Sequence, residues 1–371
     1  MALFMIKKYL LIFLFYCTAL LGATYSDLVK ECTPEQRIAL QEASDYISEE
    51  TQFQPLVGGL SKAKLYSFET GKDKLVLRFL SLGPTHPQEM RQNEIRALKI
   101  ANELGIAPPC IFSDENSVLM IMPFVEGCRL QNPKDDQLLQ LGKMIRSLQQ
   151  PSRSFPTNLT LADRVGLQYQ KGLKSGIAFP RGFDHEVETL LSKPVGYTPV
   201  PSHGDLNPSN ILVSDSSISI IDWTTATLDS PFTDLSYLSL LLNLSPSQES
   251  KLLESYFGRA ISEEEEALLN EEKAKLFLFT AALCFRCSET EEERSLPIEA
   301  RIAALDSELH SPNLKPVQDY LGKDLIDLHN APKAAIKSYA LSFYKAYLET
   351  RLPAGLPAQA HKALTASACC E

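Results

Sequence analysis

The sequence predicts an α+β fold with two lobes of unequal size, a small antiparallel sheet followed by a larger, mostly helical part. Its 371 residues, 44% hydrophobic and 22% charged, have an ordinary globular composition and enough length for two lobes. Alternating apolar residues bounded by turn signals predict short strands near 54–58, 63–69 and 74–80. Beyond residue 126, helical periodicity dominates, as at 137–149 and 330–350.

These patterns divide the chain into five segments. The turn-like pair Glu126 and Gly127 marks the end of the small lobe. An acidic run at 262–272 reads as the solvated start of a further helix in the large lobe. The segments are an apolar, signal-like stretch at 1–23, a helical lead-in at 24–50, the N-lobe at 51–125, the C-lobe at 126–350 and a tail at 351–371.

The first 23 residues have the pattern of a secretory signal. Lys7 and Lys8 precede an apolar run from Tyr9 to Ala23 that ends in small residues. A bilayer-spanning helix needs about 20 apolar residues, so the pattern favours a cleaved signal over a permanent anchor. We therefore expect membrane contact only through this segment, if the mature protein retains it.

Charge and cysteine content exclude some classes of protein. A formal net charge of −10 argues against nucleic-acid binding, which requires clustered Lys and Arg, and would suit a cationic small substrate. Eight cysteines in a chain of this length are too few for a disulfide scaffold. Cys284 and Cys287 form a C-x-x-C in a helix-like apolar run without a second pair, so we interpret them as buried thiols and assign them no function.

A buried ion pair is predicted in the N-lobe. Residues 89–104 have helical periodicity, and Glu94 falls on their apolar face. A carboxylate in that position must be paired, or its desolvation costs several kcal/mol. Arg78, in the strand sequence KLVLRFL, is the expected partner.

Gly58 and Gly59 lie at the first bend of the predicted sheet. Without side chains, they would let backbone amides approach a nucleotide phosphate. Taken alone, the pair favours a simple hairpin turn, and only its sequence context points to a nucleotide site.

The segment HGDLNPSNILVSDSSISIIDWTT, residues 203–225, carries the most chemical information. It reads as a polar loop, a short strand ILV, a turn and a second strand ISIID. Phosphoryl transfer needs a carboxylate to align the acceptor hydroxyl, and oxygen ligands for the metal ions that neutralise the developing charge. Asp205, Asn210 and Asp222 supply these groups in that order.

Each residue of this set has a predicted role. Asp205 would orient the acceptor hydroxyl and accept its proton. Asn210 would hold one Mg²⁺ through its side-chain oxygen, and Asp222 would bridge the metal ions to the phosphates. His203 would pin the backbone of the loop.

The same segment resembles the H-x-D-x-x-x-x-N catalytic loop and following I-D-W of aminoglycoside phosphotransferases and choline kinases. This resemblance covers roughly residues 52–245 and implies a protein-kinase-like bilobal fold, bound ATP or GTP, and Mg²⁺. Within it, the sequence GGLSKAKLYSF resembles the family's nucleotide loop, and Glu94 resembles the Glu of its small-lobe helix. It therefore implies a nucleotide site formed by Gly58, Gly59, Ser61, Arg78 and Glu94.

The resemblance also implies a small-molecule acceptor rather than a protein. Trp223 and Thr224 follow Asp222 where protein kinases have Phe-Gly, and no A-P-E sequence closes an activation segment. Arg78 in its V-L-R strand is similar to choline kinases, whereas Thr224 and Thr225 depart from the acidic and aromatic residues that follow I-D-W in bacterial choline kinases. The acceptor is therefore left open among choline, ethanolamine and other amine-bearing alcohols.

The sequence also gives expectations for three residues near the motif, for an alternative function and for localisation. Trp223 and Tyr237 are expected to be core aromatics rather than walls of a quaternary ammonium site, and Asp234 is expected to cap its helix or brace the catalytic loop. The alternative function is a catalytically weak or inactive pseudokinase with a binding or regulatory role. For localisation, the signal-like segment indicates export or delivery, whereas ATP-dependent chemistry indicates a cytoplasm, that of this cell or of another.

Overall fold

The computed structural model describes residues 22–56, 64–71, 73–84, 86–150, 154–215, 217–322 and 330–351. These residues form two compact units. The first contains the chain up to Cys128 together with Leu212–Thr224, and the second contains Arg129–Ile211 and the chain from Thr225 onward. The segment boundaries drawn from the sequence stay predictions, and most of the signal-like stretch and of the tail lies outside the described residues.

The first unit is built on an antiparallel sheet. Phe53, Phe68, Leu77 and Ile121 are buried in its core, where large apolar side chains favour neighbouring extended strands. The central hairpin pairs Leu65 with Arg78 and turns at Gly71. In spatial order, the strands are Ala23–Thr24, Gln52–Pro55, Lys64–Thr70, Asp73–Phe79, Leu119–Pro123 and Phe112–Ser113.

Two short helices pack in the same core as the sheet. Tyr25–Glu31 and Pro34–Glu42 each begin at a threonine whose side chain accepts a backbone N–H in a capping box. The lead-in expected to be helical over 24–50 ends its second helix at Glu42, because turns occupy residues 43–46. The first predicted strand also shifts, to Gln52–Pro55.

The longer helix of the first unit carries the predicted buried carboxylate. It spans Gln88–Glu103, close to the expected 89–104, and Gly105 adopts a left-handed conformation just beyond its end. Ala97 and Leu98 are buried on the face that also contains Glu94. The helix therefore places a carboxylate inside an apolar face, as its periodicity predicted.

The segment after the catalytic loop differs from its prediction in one respect. Ile211–Val213 pairs with Ile218–Ile220 and also with Cys128–Arg129. The strand predicted through Asp222 ends at Ile220, because Asp222 has φ +63° and cannot continue an extended strand. A 3₁₀ turn, Trp223–Thr225, follows directly.

The second unit is mostly helical, with a two-stranded antiparallel sheet of Val200–Ser202 and Thr227–Asp229. Phe183, Phe285 and Tyr344 are fully buried and pack ring against ring in its core. Cys284 is buried and unpaired, and burial raises the pKa of its thiol, as expected for a core cysteine. The helices are Asp135–Leu148, Leu161–Lys174, Phe183–Ser192, Thr233–Leu241, Pro246–Phe257, Glu263–Ser288, Glu291–Arg294, Ile298–Leu309 and Lys333–Thr350.

This architecture confirms the predicted α+β class, with an antiparallel sheet in the N-terminal unit and a helical C-terminal unit. The acidic run begins a helix as predicted, with Ser262 as its N-cap. Across the described ranges, no helix combines the length and the apolar character needed to cross a bilayer.

Candidate functional site

The loop that contains Asp205 is fixed from behind by a buried carboxylate. Asp234, at the start of the Thr233–Leu241 helix, is fully buried. It accepts the backbone N–H of His203 at 2.8 Å and that of Gly204 at 3.0 Å. Two adjacent amides therefore share one carboxylate, and the predicted brace at Asp234 is confirmed.

Gly204 allows this loop to turn. Its φ is +77°, a left-handed conformation that favours glycine, and a Cβ there would lie 2.6 Å from the carbonyl oxygen of Thr225. Thr225 Oγ1 also donates to the carbonyl oxygen of His203 at 3.0 Å. The loop and the Thr225 segment are therefore in close backbone contact.

The His203 ring is buried beneath the loop. Its Nδ1 accepts the backbone N–H of Asp205 at 3.3 Å, so the ring contacts the backbone that carries the candidate base. Because Nδ1 acts as an acceptor, a neutral ring carries its proton on Nε2. The structure therefore places His203 as a support for Asp205.

Two asparagine side chains converge on Asp205. Asn207 Nδ2 donates to Asp205 Oδ1 at 3.1 Å, and Asn207 Oδ1 caps the 3₁₀ turn Pro208–Asn210 by accepting the N–H of Ser209 at 2.9 Å. Asn210 Nδ2 donates to the carbonyl oxygen of Asp205 at 2.9 Å. This bond turns the amide nitrogen of Asn210 toward the loop and leaves its oxygen as the end suited to a metal ion.

A buried arginine, missed in the sequence, also supports this loop. Arg164 Nη2 donates to the carbonyl oxygen of Gly204, and its guanidinium lies 5.2 Å from the ring centre of Phe279. Burial works to lower the pKa of Arg164, but Tyr237 and Asp205 raise it above its ordinary value. Its sequence signal was a charged residue between Leu161 and Val165 on an apolar helix face, the same kind of signal that identified Glu94.

The first unit brings together a second set of predicted residues around Arg78. Its Nη2 lies 2.8 Å from Glu94 Oε1, 3.0 Å from Asp222 Oδ1 and 2.8 Å from Thr224 Oγ1. The predicted ion pair between Arg78 and Glu94 is therefore present, although these two residues are only part of a cluster of four. Thr224, also missed in the sequence, donates to Asp222 Oδ1 at 2.6 Å.

The N–H groups of Arg78 Nη2 are directed to only two of the three oxygen atoms that surround it. Both N–H bonds of Nη2 point toward Asp222 and Thr224, so the Glu94 contact has the distance of an ion pair but no directed hydrogen. Arg78 Nε is buried and has no acceptor among the described residues. The site therefore retains unused hydrogen-bonding capacity on a buried cation.

Burial and charge oppose each other in the cluster. Burial works to lower the pKa of Arg78, but the carboxylates of Asp222 and Glu94 raise it, so the guanidinium stays charged. Burial raises the pKa of Glu94 and the charge of Arg78 opposes this shift. The Asp222 side chain is 34% exposed, whereas those of Arg78 and Glu94 are 7% and 5% exposed. Asp222 is thus the most exposed of the three charged members of the cluster.

The structure divides the predicted site residues between the two units. His203, Asp205 and Asn210 lie together in the second unit, and Arg78, Glu94 and Asp222 lie together in the first. Gly58, Gly59 and Ser61 fall outside the described residues. The roles assigned to all of these residues stay predictions.

Trp223 and Tyr237 lie in the core, and the proposed Mg²⁺ ligands are not part of a larger group of His, Cys, Asp or Glu side chains among the described residues. Trp223 and Tyr237 are 1% and 2% exposed, so both are core aromatics as predicted. Across the part of the chain that the structure describes, no group of three or more His, Cys, Asp or Glu side chains could hold a metal ion. A Mg²⁺ ion bound by one or two protein oxygens and by nucleotide phosphates does not require such a group.

Comparison with known proteins identifies the family. Residues 52–269, more than half of the chain, match the model of the phosphotransferase enzyme family. The chain belongs to this family. The matched range contains the loop sequence HGDLNPSN, whose geometry is described above.

Relatives of this phosphotransferase include choline kinases. The Protein LicA homolog of Mycoplasma capricolum is 26% identical over 162 residues, which are 43% of this chain and 65% of that protein. The choline kinase LicA of Streptococcus pneumoniae has a TM-score of 0.53 at 16% identity, over 73% of this chain and 97% of the other. A choline/ethanolamine kinase family protein of Mesorhizobium loti has a TM-score of 0.50 at 18% identity, over 78% and 92%.

The fold is not restricted to choline kinases. A macrolide 2′-phosphotransferase of type I has a TM-score of 0.51 at 15% identity, over 79% of this chain and 99% of the other. These similarities confirm the predicted kinase-like fold. The family match adds that the chain belongs to the phosphotransferases.

Proposed function

We propose that this phosphotransferase uses a nucleoside triphosphate and Mg²⁺ to phosphorylate the hydroxyl of a small amino alcohol of the choline or ethanolamine class. The observation that carries this proposal is the half-buried Asp205 on a loop whose backbone is bound by Asp234, His203 and Arg164. A carboxylate held in this way can align an acceptor without reorganising during the reaction.

In the proposed reaction, Asp205 orients the acceptor hydroxyl and takes its proton. The hydroxyl oxygen forms a bond to the terminal phosphorus, the bond to the bridging oxygen breaks, and the nucleoside diphosphate leaves. Asn207 donates to Asp205 Oδ1 and thereby limits the rotation of the carboxylate. Asp205 is itself only partly buried, whereas His203 and Gly204 before it are buried.

The chemistry of the remaining residues fits a nucleotide and Mg²⁺. Asp222 and Asn210 provide carboxylate and amide oxygens, which are the ligands that Mg²⁺ prefers, and the bound metal would neutralise charge on the phosphates. The guanidinium of Arg78 is always charged and has a fork geometry that suits a phosphate, and its Nη2 lies beside Asp222, the proposed metal ligand. The LicA protein has also been crystallised in complex with AMP, which supports nucleotide binding by this fold.

Two observations support an amino alcohol as the acceptor. The relatives with the same fold include proteins named as choline or choline/ethanolamine kinases. The net charge of −10 also favours the approach of a cation over that of an anion. Since the match to the LicA homolog spans less than two thirds of that protein, the acceptor is a proposal for this chain.

The proposal is tested by measuring nucleoside diphosphate production by the full chain with Mg²⁺ and ATP or GTP. The acceptors are choline, ethanolamine, thiamine, an aminoglycoside and a macrolide. Asp205→Asn is the inactive variant, and Asp215→Asn, at an exposed bend, is the matched control. We expect acceptor-dependent turnover with choline or ethanolamine that falls about 10²- to 10⁴-fold in Asp205→Asn and is unchanged in Asp215→Asn.

Other outcomes would change the assignment. Turnover with only the aminoglycoside or macrolide would replace the amino alcohol as acceptor, and unchanged turnover in Asp205→Asn would remove Asp205 from the mechanism. Nucleotide binding without transfer to any acceptor would favour a pseudokinase. The direct bond between Arg78 and Asp222 is the observation that makes this alternative worth testing, because it already pairs the metal-binding carboxylate with a cation.

A further inference from the structure

The geometry points to Thr224 as a positioning residue. Its hydroxyl orients Asp222 for Mg²⁺ and determines how the N–H groups of Arg78 are shared between Asp222 and Glu94. This inference rests on the proposed function, since it takes Asp222 as a metal ligand. Thr224 is the second residue after Asp222, within the 3₁₀ turn Trp223–Thr225. Its hydroxyl oxygen contacts both Arg78 and Asp222.

The chemistry of each partner gives the direction of these two hydrogen bonds. Arginine can only donate, so Thr224 Oγ1 accepts from Arg78 Nη2 at 2.8 Å. An ionised carboxylate can only accept, so the single hydroxyl proton of Thr224 goes to Asp222 Oδ1 at 2.6 Å. The hydroxyl therefore links the cation to the carboxylate in one fixed orientation.

Asp222 needs such support because its local backbone is unusual. Its φ of +63° lies in the left-handed region, which residues with a side chain adopt uncommonly. On one side, the buried Trp223 holds the turn by donating Nε1–H to the carbonyl oxygen of Ile220 at 3.1 Å. On the other, Thr224 and Arg78 both bind Oδ1, so the two bonds together set the direction of a carboxylate that is 34% exposed.

The hydroxyl also controls the competition between the two carboxylates for Arg78. Glu94 Oε1 lies 2.8 Å from Nη2 but receives no directed N–H, because both hydrogens of that nitrogen point to Thr224 and Asp222. If the Thr224 hydroxyl is removed, one hydrogen loses its acceptor, and Glu94 is the nearest replacement. The freed hydrogen would then turn toward Glu94, and Asp222 would lose the orienting bond from Thr224 while the bond from Arg78 remains.

The test separates this role from simple packing. ADP binding to the full chain is measured by calorimetry with saturating Mg²⁺ and again with EDTA, for the wild type, Thr224→Val and Thr224→Ser. Valine keeps the branched shape and removes the hydroxyl, whereas serine keeps the hydroxyl. The matched control is Thr70→Val. Thr70 lies on the strand that pairs with the Arg78 strand, about 17 Å along it from Leu65, the residue opposite Arg78.

We expect Thr224→Val to weaken ADP binding about 10- to 100-fold when Mg²⁺ is present, the range seen when partners of metal ligands are removed, and to leave binding in EDTA unchanged. Thr224→Ser and Thr70→Val should bind as the wild type does under both conditions. If Thr224→Val does not fold, Thr224→Ala and Thr224→Ser provide the same comparison of hydroxyl with no hydroxyl.

Three results would overturn the inference. Wild-type Mg²⁺ dependence in the folded Thr224→Val variant would show that the hydroxyl does not position Asp222. An equal loss of binding with and without Mg²⁺ would show a general structural role. If the wild type itself shows no Mg²⁺-dependent ADP binding, the proposed function fails first and the role of Thr224 falls with it, a result that the wild-type titration alone identifies.

Discussion

Arg78 and Glu94 form a buried ion pair, with Nη2 2.8 Å from Oε1 and only 7% and 5% of the two side chains exposed. The pair joins the Asp73–Phe79 strand to the Gln88–Glu103 helix. A second carboxylate, Asp222, binds the same nitrogen of Arg78. Arg78 therefore compensates two negative charges in a setting where neither is fully hydrated, and its removal should affect stability as well as ligand binding.

We predict that Arg78→Met lowers the free energy of unfolding by roughly 3–5 kcal/mol, because it leaves a buried carboxylate without its cation. Urea unfolding measures this change. The control is Lys99→Met, which replaces an exposed lysine of the same helix as Glu94 and should alter stability by less than about 0.5 kcal/mol. Adding Glu94→Gln to Arg78→Met should recover part of the loss; equal costs for Arg78→Met and Lys99→Met would contradict the prediction.

The sequence alone predicted those features whose pattern lies within a short stretch of the chain. The strand that contains Arg78 and the helix that contains Glu94 each have a clear periodicity, and a carboxylate on an apolar face needs a nearby cation, so their pairing could be predicted. Asp234 was recognised as a cap or brace because it begins an apolar helix after Pro231. The prediction of the ion pair joins two residues that lie about 16 positions apart in the chain. The prediction for Asp234 depends on one charged residue at the start of a helix.

The residues that were missed act over long sequence separations. Arg164 contacts Gly204 across 40 residues, and Thr224 contacts Arg78 across 146. A threonine after a motif carboxylate has no pattern that indicates its partner, because its hydroxyl bonds join a turn to a strand far away in the sequence. The left-handed backbone of Asp222 was missed for a related reason, since the apolar alternation of ISIID continues past the point where the strand ends.

Asp234→Asn should disrupt the catalytic loop although the side chain keeps nearly the same shape. An amide offers one acceptor oxygen, so only one of the N–H groups of His203 and Gly204 keeps its partner while the other faces the NH₂ group. We expect a loss of roughly 1–3 kcal/mol in the free energy of unfolding, together with lower turnover. Asp136→Asn, an exposed first-turn residue of another helix, is the control and should change neither quantity; a similar result for both variants would show that the Asp234 brace is unimportant.

The start of the Glu263–Ser288 helix should contribute a pH-dependent part of the stability. Arg259 donates to both oxygens of Glu265, and this contact with the capping bonds of Ser262 lowers the pKa of Glu265 from 4.5 to about 2. Because the folded pKa lies below the ordinary value, the contribution is complete above pH 4.5 and is lost as the pH falls toward 2. The pair lies at the surface, so its size is at most about 1 kcal/mol.

This pH dependence is measured as the difference in unfolding free energy between the wild type and Glu265→Gln. The difference should be largest near neutral pH and should shrink at about pH 3, where part of the native advantage of the ionised form has been lost. Glu264→Gln, an exposed carboxylate of the same helical turn, serves as the comparison. A difference for Glu265→Gln that grows on acidification would have the wrong sign for a lowered carboxyl pKa.

The strictest test of the loop geometry compares two glycines with similar backbones. Gly204 and Gly176 have φ values of +77° and +67°, so alanine pays a similar conformational cost, about 1–2 kcal/mol, at either position. At Gly176 nothing lies within 4 Å of an added Cβ, whereas at Gly204 the Cβ would lie 2.6 Å from the carbonyl oxygen of Thr225. Gly204→Ala must therefore shift the backbone between His203 and Asp205. Because small displacements of a catalytic group are costly, we expect turnover to fall at least about tenfold below that of Gly176→Ala.

Both variants are compared by urea unfolding and by turnover with the best acceptor. Equal turnover in the two variants would mean that the approach of Gly204 to Thr225 does not control the position of Asp205.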